Sequence, residues 1–242
     1  MQLAQQIALV TGGGRGLGRS MALALAHEGA MVVVAARTAD EITETVWLIE
    51  EQGGKGFALP VDVRDSAQVS GLVAQVYEQL GPIKILINSA GVGLRAPITE
   101  TSEAQWDLVV DTLLKGTFLV ASAVLPQMIA SGGGNIINLG APLERIVTPG
   151  FAAYYAAKCG VDGLTRIMAK DLRRHGVNVN TLHPGGFVDT QMVRSTVPEV
   201  RTGLLSPDEI GRVAVALASL PPRSQTGQTV DAHTWQTEKD EN

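Results

Sequence analysis

Short apolar segments alternate with longer segments of helical periodicity along the whole 242-residue chain. Gln6–Thr11, Met31–Ala35, Gly56–Pro60, Lys84–Asn88, Asn135–Leu139, Val177–Leu182 and Thr229–Asp231 read as strands. Several are continuously apolar rather than alternating, the pattern of strands covered on both faces by crossover helices. Between them, helices are predicted over Gly16–Glu28, Asp40–Gln52, Ser66–Leu80, Glu103–Ala130, Ala152–His175 and Pro207–Leu220. Gly53-Gly54, Gly81-Pro82, Gly132-Gly133-Gly134 and Gly176 fall where those helices must stop. The expectation is a doubly wound α/β fold: a seven-stranded parallel sheet with helices on both faces and ligand at the carboxyl ends of the strands.

The chain is 45% hydrophobic and long enough to bury one large core, so one domain is expected. A net charge of −5 with no Lys/Arg stripe argues against a nucleic-acid partner. Met1–Gln6 has neither a basic leader nor an apolar segment of signal length, and uninterrupted apolar runs such as Ala30–Ala36 are too short to span a bilayer. A soluble, cytoplasmic protein with no membrane partner is therefore expected. Cys159 is the only cysteine, which forbids an internal disulfide and fits a reducing compartment. His27, His175, His183 and His233 show no metal-ligand spacing, and no catalytic metal is expected.

Behind the first strand stands Thr11-Gly12-Gly13-Gly14-Arg15-Gly16-Leu17-Gly18, followed at once by a helical pattern. Glycines let backbone amides approach a pyrophosphate without a Cβ clash, and the helix amino end supplies free N–H groups and partial positive charge. A glycine turn alone also suits a tight connection with no ligand; the strand before it and the helix behind it favour the dinucleotide reading. Gly13 to Ser20 is one residue away from a triphosphate-binding loop, but Arg19 stands where that loop needs Lys. The end of the second strand separates the two nicotinamide coenzymes. An acid there would accept from a ribose 2′-hydroxyl and repel a 2′-phosphate; this chain has Ala36 followed by Arg37, a fork suited to phosphate. NADP(H) is the coenzyme expected.

Three further stretches complete a pattern: Asn88-Ser89-Ala90-Gly91, Tyr154-Tyr155-Ala156-Ala157-Lys158 and Pro184-Gly185-Gly186-Phe187-Val188-Asp189-Thr190. With the glycine turn, in this order and spacing, the chain resembles the short-chain dehydrogenase/reductase family. The resemblance implies a single dinucleotide-binding Rossmann domain over 1–235, with a short substrate lid near 191–205 and a polar tail at 236–242. It also implies that Gly12, Gly16 and Gly18, with Leu17, line the pyrophosphate and that Arg15 points at the 2′-phosphate. Asp62 and Val63 would meet the adenine, although Asp62 alone reads equally well as a helix cap or turn residue. Asn88 would support the sheet beside the coenzyme. Ala90, Gly91, Pro184, Gly185, Val188 and Thr190 would complete its contacts, and Gly186 looks like one residue more than the usual form of the last motif. Homotetramer or homodimer formation through the two long helices is implied as well.

Tyr154 and Lys158, four apart on a predicted helix, project from one face. A phenol becomes an effective acid/base near neutrality only beside positive charge, which Lys158 and an oxidised nicotinamide supply. Tyr154 is therefore the expected acid/base; Tyr155 points about a quarter turn away. By the resemblance Lys158 also holds the nicotinamide ribose. The resemblance also implies two polar groups, a Ser hydrogen-bonding the substrate oxygen and an Asn binding a relay water, and both are missing here. A Ser thirteen residues before the Tyr is replaced by Ala141, and an Asn before Leu114-Lys115-Gly116 by Leu113. Neither can hydrogen-bond through its side chain. Ser89, Thr148 or Asn138 are the nearby polar candidates to substitute, at unfavourable offsets. The function expected is hydride transfer between NADP(H) and a small carbonyl or alcohol. The alternative is a coenzyme-binding protein of little or no turnover, serving in an assembly or as a sensor. The short lid predicts an open pocket, and its Met192, Val193, Val197, Leu204 and Leu205 lean towards apolar substrates unless they only pack the lid.

Overall fold

The computed structural model describes residues 1–144 and 147–235, so the expected tail at 236–242 lies outside the described residues. Seven strands form one sheet: β1 Ile7–Thr11, β2 Met31–Ala36, β3 Lys55–Pro60, β4 Ile83–Asn88, β5 Gly134–Leu139, β6 Val177–His183 and β7 Thr229–Asp231. Their spatial order is β3-β2-β1-β4-β5-β6-β7, and every pairing is parallel. Each predicted strand is present, its ends displaced by no more than a single residue.

The helices are α1 Gly16–His27, α2 Ala39–Glu51, α3 Ser66–Gln79, α4 Glu103–Val110, α5 Gly116–Ala130, α6 Ala152–Leu172, α7 Gln191–Thr196 and α8 Glu209–Ala218. Continuous apolarity in the strands follows from their position between two cores. Ala8 and Val10 of β1 face Met21, Leu25, Ile42, Ile210 and Leu217 from α1, α2 and α8. Ile7 and Leu9, on the opposite face because side chains alternate along a strand, meet Val73, Val124, Met128 and Met168 from α3, α5 and α6. Full burial of each such side chain contributes about 1.5–3 kcal/mol.

Local signals fix the helix starts. Asp65 caps α3 by accepting from the Ala67 and Gln68 amides at 2.9 and 3.1 Å. Ser102 and Gln105 form a reciprocal capping box at α4. The predicted single helix over 103–130 needs correction, because Asp111–Lys115 forms a π turn between α4 and α5. Close packing accompanies this widened turn: a side chain on Gly116 would come within 2.7 Å of Val63 Cγ2. Glu103–Ala130 taken together is 28 residues and, by length and composition, apolar enough to cross a membrane, although polar residues interrupt its apolar runs. In the fold its inner face, through Val120, Ala121, Val124 and Met128, is part of the core.

Candidate active site

At the carboxyl end of the sheet, β1 is flanked by β2 on one side and β4 on the other, so the connections leaving β1 and β4 diverge to opposite faces. Such a switch point opens a crevice. Here it holds a cavity of about 570 Å³, lined by the glycine turn, the ends of β2 and β4, the loop after β5, α6 and the segment after β6.

The glycine turn is pressed against the β4 end. Gly12 has φ +65°, and a Cβ there would lie 2.7 Å from Ala90 Cα and from the Ser89 carbonyl oxygen. On Gly18 a Cβ would collide with the Gly12 carbonyl oxygen. Thr11 Oγ1 accepts from the Ser89 and Ala90 amides at 3.2 and 3.3 Å, joining the two strand ends. Among the described residues no side chain caps α1, so its first-turn amides remain available at the cavity, which Gly12, Arg15, Gly16, Leu17 and Gly18 all line. Arg19 lies at the cavity edge, but its guanidinium turns to α2, donating to the Gly14 carbonyl at 2.9 Å and to Glu44 at 2.6 Å. Held there, it is not the phosphate-reaching cation of a triphosphate-binding loop.

Arg37 is exposed and lines the cavity beside Asp62 and Val63. Asp62 is the turn residue: its carboxylate accepts from the Arg64 amide at 3.0 Å and from the Arg64 guanidinium at 2.6 Å, while Asp65 takes the capping role. Its carboxyl is held below the ordinary value, first by the Arg64 side-chain bond and in smaller part by the charge of Arg37. Arg15 reaches across the mouth. Its Nη1 donates to Glu41 on α2 at 3.2 Å and to Gln191, the first residue of α7, at 2.6 Å.

Two sequence-predicted coenzyme residues do not line the cavity. Asn88 is buried beneath it, donating to Asn138 at 2.9 Å; Asn138 in turn donates to Thr165 of α6 at 2.9 Å. This relay braces β4 and β5 against the helix that carries Tyr154 and Lys158. Gly185 turns towards β7, where a Cβ would meet Asp231 Oδ1, and Gly186 takes the lining position instead. Ala90, Gly91, Pro184, Val188 and Thr190 line the cavity.

Tyr154 and Lys158 lie on one face of α6 and border the same cavity. Lys158 donates to the Leu139 carbonyl at the end of β5, and its Nζ is 5.8 Å from the Tyr154 ring centroid. Burial pushes the Tyr154 phenol up to about 12. Burial likewise pulls Lys158 down to about 8, opposed by the negative charge of Asp162. Phe151 stacks edge-on against Tyr154 with centroids 6.0 Å apart. Tyr155 is nearer the site than its angular offset suggests: it lines the cavity and its hydroxyl donates to Leu143 at 2.7 Å, fastening the loop that carries Ala141.

Ala141 and Leu113 both line the cavity and place only carbon there. Leu113 is 1% exposed, packed with Val109, Ala153 and Ala157. Of the polar substitutes considered, only Ser89 borders the cavity; Asn138 is committed to the relay, and Thr148 does not reach it. The lid contains the short helix α7, which periodicity did not reveal, started by Thr190 accepting from the Val193 amide at 3.3 Å. Met192, Val193 and Val197 line the cavity, whereas Leu204 and Leu205 do not. Arg95 was also not anticipated. It bonds Glu199 and the Thr196 carbonyl of the lid and lies over Phe151, tying three loops together. Among the described residues, no three His, Cys, Asp or Glu side chains gather as a metal site.

Comparisons with known proteins agree with this geometry. Residues 6–201 match the family described as short chain dehydrogenase. The 3-oxoacyl-acyl-carrier-protein reductase FabG of Staphylococcus aureus is 36% identical over 235 residues, covering 92% of this chain and 94% of the relative. Gluconate 5-dehydrogenase of Gluconobacter oxydans is 40% identical over 192 residues, covering 79% of this chain and 75% of that one. The crystal structure of a metagenomic short-chain oxidoreductase in complex with NADP superimposes with a TM-score of 0.84 at 30% identity, over 96% of this chain and 97% of the other.

Proposed function

This chain belongs to the short-chain dehydrogenase family, and from that premise we propose that it is an NADP(H)-dependent oxidoreductase moving hydride between the nicotinamide and a carbonyl/alcohol substrate. The observation that carries the proposal is the convergence on one cavity of the glycine turn, Arg37, and the Tyr154–Lys158 pair. The cavity's residues fit the coenzyme chemically. Free amides at the start of α1 and a turn stripped of Cβ atoms suit a pyrophosphate, and Arg15 and Arg37 suit a 2′-phosphate. Asp62 and Val63 border the adenine end; Ala90, Gly91, Pro184, Val188 and Thr190 border the remainder. Asn88 and Gly185 act from behind. The coenzyme supplies or accepts the hydride. A relative crystallised with NADP supports the choice between coenzymes.

Tyr154 gives its hydroxyl proton to the substrate oxygen during reduction and recovers it in oxidation. Burial keeps the phenol protonated, the form a reductase needs, and the ammonium of Lys158 steadies the phenolate as the proton leaves. Lys158, anchored on Leu139, is also the group that would hold the nicotinamide ribose hydroxyls. With Ala141 and Leu113 in the wall, the substrate oxygen has one donor fewer and no Asn-bound water behind it. The loss of one such donor lowers turnover by ~10²–10³. Pro142, Leu143, Phe151, Phe187 and Met192 give the same cavity an apolar portion of wall, which suits an apolar carbonyl compound. Residues 1–235 act as one dinucleotide-binding unit, and its long helices α5 and α6 are the surfaces on which a homodimer or homotetramer would form. Coenzyme binding without turnover has only Ala141 and Leu113 in its favour, and we do not favour it.

The deciding experiment follows NADPH oxidation by the purified chain against a panel of apolar ketones and quinones. Turnover that falls at least ~10³-fold in Tyr154→Phe supports the reading. Turnover indifferent to that change, or no turnover until Ala141→Ser is introduced, sinks it.

A further inference from the structure

We infer that Glu41 is a specificity-determining residue that limits how strongly this protein prefers a 2′-phosphorylated coenzyme. The inference rests on the NADP(H) reading above and adds to it a residue that opposes the preference set by Arg15 and Arg37. Glu41 stands in the first turn of α2, four residues after Arg37, and lines the same end of the cavity. Its carboxylate takes Arg15 Nη1 at 3.2 Å, and the same nitrogen is held by Gln191 at 2.6 Å. One of the two cations facing the 2′ position is thus engaged, by a negative charge on one side and by the lid on the other.

A 2′-phosphate entering this end must draw Arg15 away from Glu41 and must also tolerate the carboxylate nearby. Both effects fall on NADPH and neither on NADH, whose 2′-hydroxyl carries no charge. Three neighbours modify the field. Arg37 attracts phosphate, Arg19 is neutralised by Glu44 at 2.6 Å, and Asp62 is compensated by Arg64 at 2.6 Å. Glu41 is therefore the acid whose removal changes the balance. Gln191 gives the competition a second consequence: withdrawing Arg15 towards phosphate releases the first residue of α7, linking coenzyme identity to the lid. The Arg15 side chain is 56% exposed and Glu41 32%, so the effect is screened and modest.

The test is direct binding of NADPH and of NADH to the full chain by titration calorimetry, for the unmodified protein, Glu41→Gln, Arg15→Ala and the double variant. Glu41→Gln is expected to tighten NADPH about two- to tenfold while leaving NADH unchanged, and to lose that gain in the Arg15→Ala background. Preference for NADPH in the unmodified protein, with the NADPH/NADH ratio unchanged or lowered in Glu41→Gln, overturns the role of Glu41 and leaves the coenzyme reading standing. NADH bound as tightly as NADPH by every variant overturns the coenzyme reading itself. A preference that emerges only in Glu41→Gln upholds the role of Glu41 and overturns the native preference for NADP(H).

Discussion

Lys158 Nζ lies 5.8 Å from the centre of the Tyr154 ring while donating to the Leu139 carbonyl, so one buried cation is anchored to the sheet and faces the phenol. Its value of about 8 places the loss of that charge within reach of ordinary buffers. Lys158 is charged below this value and neutral above it, and only the charged form stabilises a phenolate. With saturating NADPH, kcat for carbonyl reduction should be flat between about pH 6 and 7 and fall as pH rises through about 8. Lys158→Arg should carry the decline to higher pH. A profile that rises through this window would show that another group governs proton transfer.

The same burial makes Lys158 costly to the fold. A lysine whose folded value lies below its ordinary 10.5 destabilises the native state wherever the unfolded chain would keep the proton; the cost is full below about 8 and disappears as pH rises towards 10.5. Lys158→Met removes the buried charge but orphans the Leu139 carbonyl, for a net gain of about 1–2 kcal/mol at neutral pH. Chemical denaturation should find this variant more stable and inactive. A large loss of stability would contradict the assigned cause of the shift.

Restoring the missing donors is not symmetric. Ala141 borders the cavity, so Ala141→Ser should raise kcat ~10–100-fold with little effect on folding. Leu113 is 1% exposed among apolar neighbours, so Leu113→Asn should cost about 1–3 kcal/mol, and its effect on rate must be read against a melting curve. An unchanged kcat in well-folded Ala141→Ser would mean that a different group already serves the substrate oxygen, with Ser89 first to examine.

Gly12 combines a φ of +65° with a backbone contact, so Gly12→Ala strains both the turn and its seat on Ala90. We expect a loss of about 2–4 kcal/mol in thermal unfolding, with NADPH binding weakened in parallel. Retention of both would show that the β4 end yields more readily than its packing suggests.

The scaffold was legible because its signals are local and redundant: apolar runs for β1 to β7, glycines at helix ends, and a glycine turn set between a strand and a helix start. Helix periodicity puts Tyr154 and Lys158 on one face, but a Tyr and a Lys four apart are common on helix surfaces, and only their register with the other family motifs singled them out. Other contacts depend on register and distance in space, which the sequence does not display. Arg15 meets Gln191 across the cavity mouth, Arg95 reaches Glu199, and neither pairing has a spacing rule. Which of Gly185 and Gly186 faces the cavity is another such case, decided by the packing of Gly185 against Asp231 near β7. Tyr155 followed the angular rule for helices, but its long side chain reaches the loop after β5 all the same.

The π turn at Asp111–Lys115 makes the length of the helical span between the Ser102 cap and Gly116 unforgiving. It accommodates one residue beyond the α-helical repeat. Deleting any one of its five residues would restore a regular helix and swing α4 by about 100° about its axis while drawing it in by about 1.5 Å. Val109 would leave the apolar cluster around Leu113, and Trp106 would turn away from its present, partly exposed direction. Single-residue insertions and deletions should therefore be purged from this segment during divergence, while substitutions that keep its count are accepted.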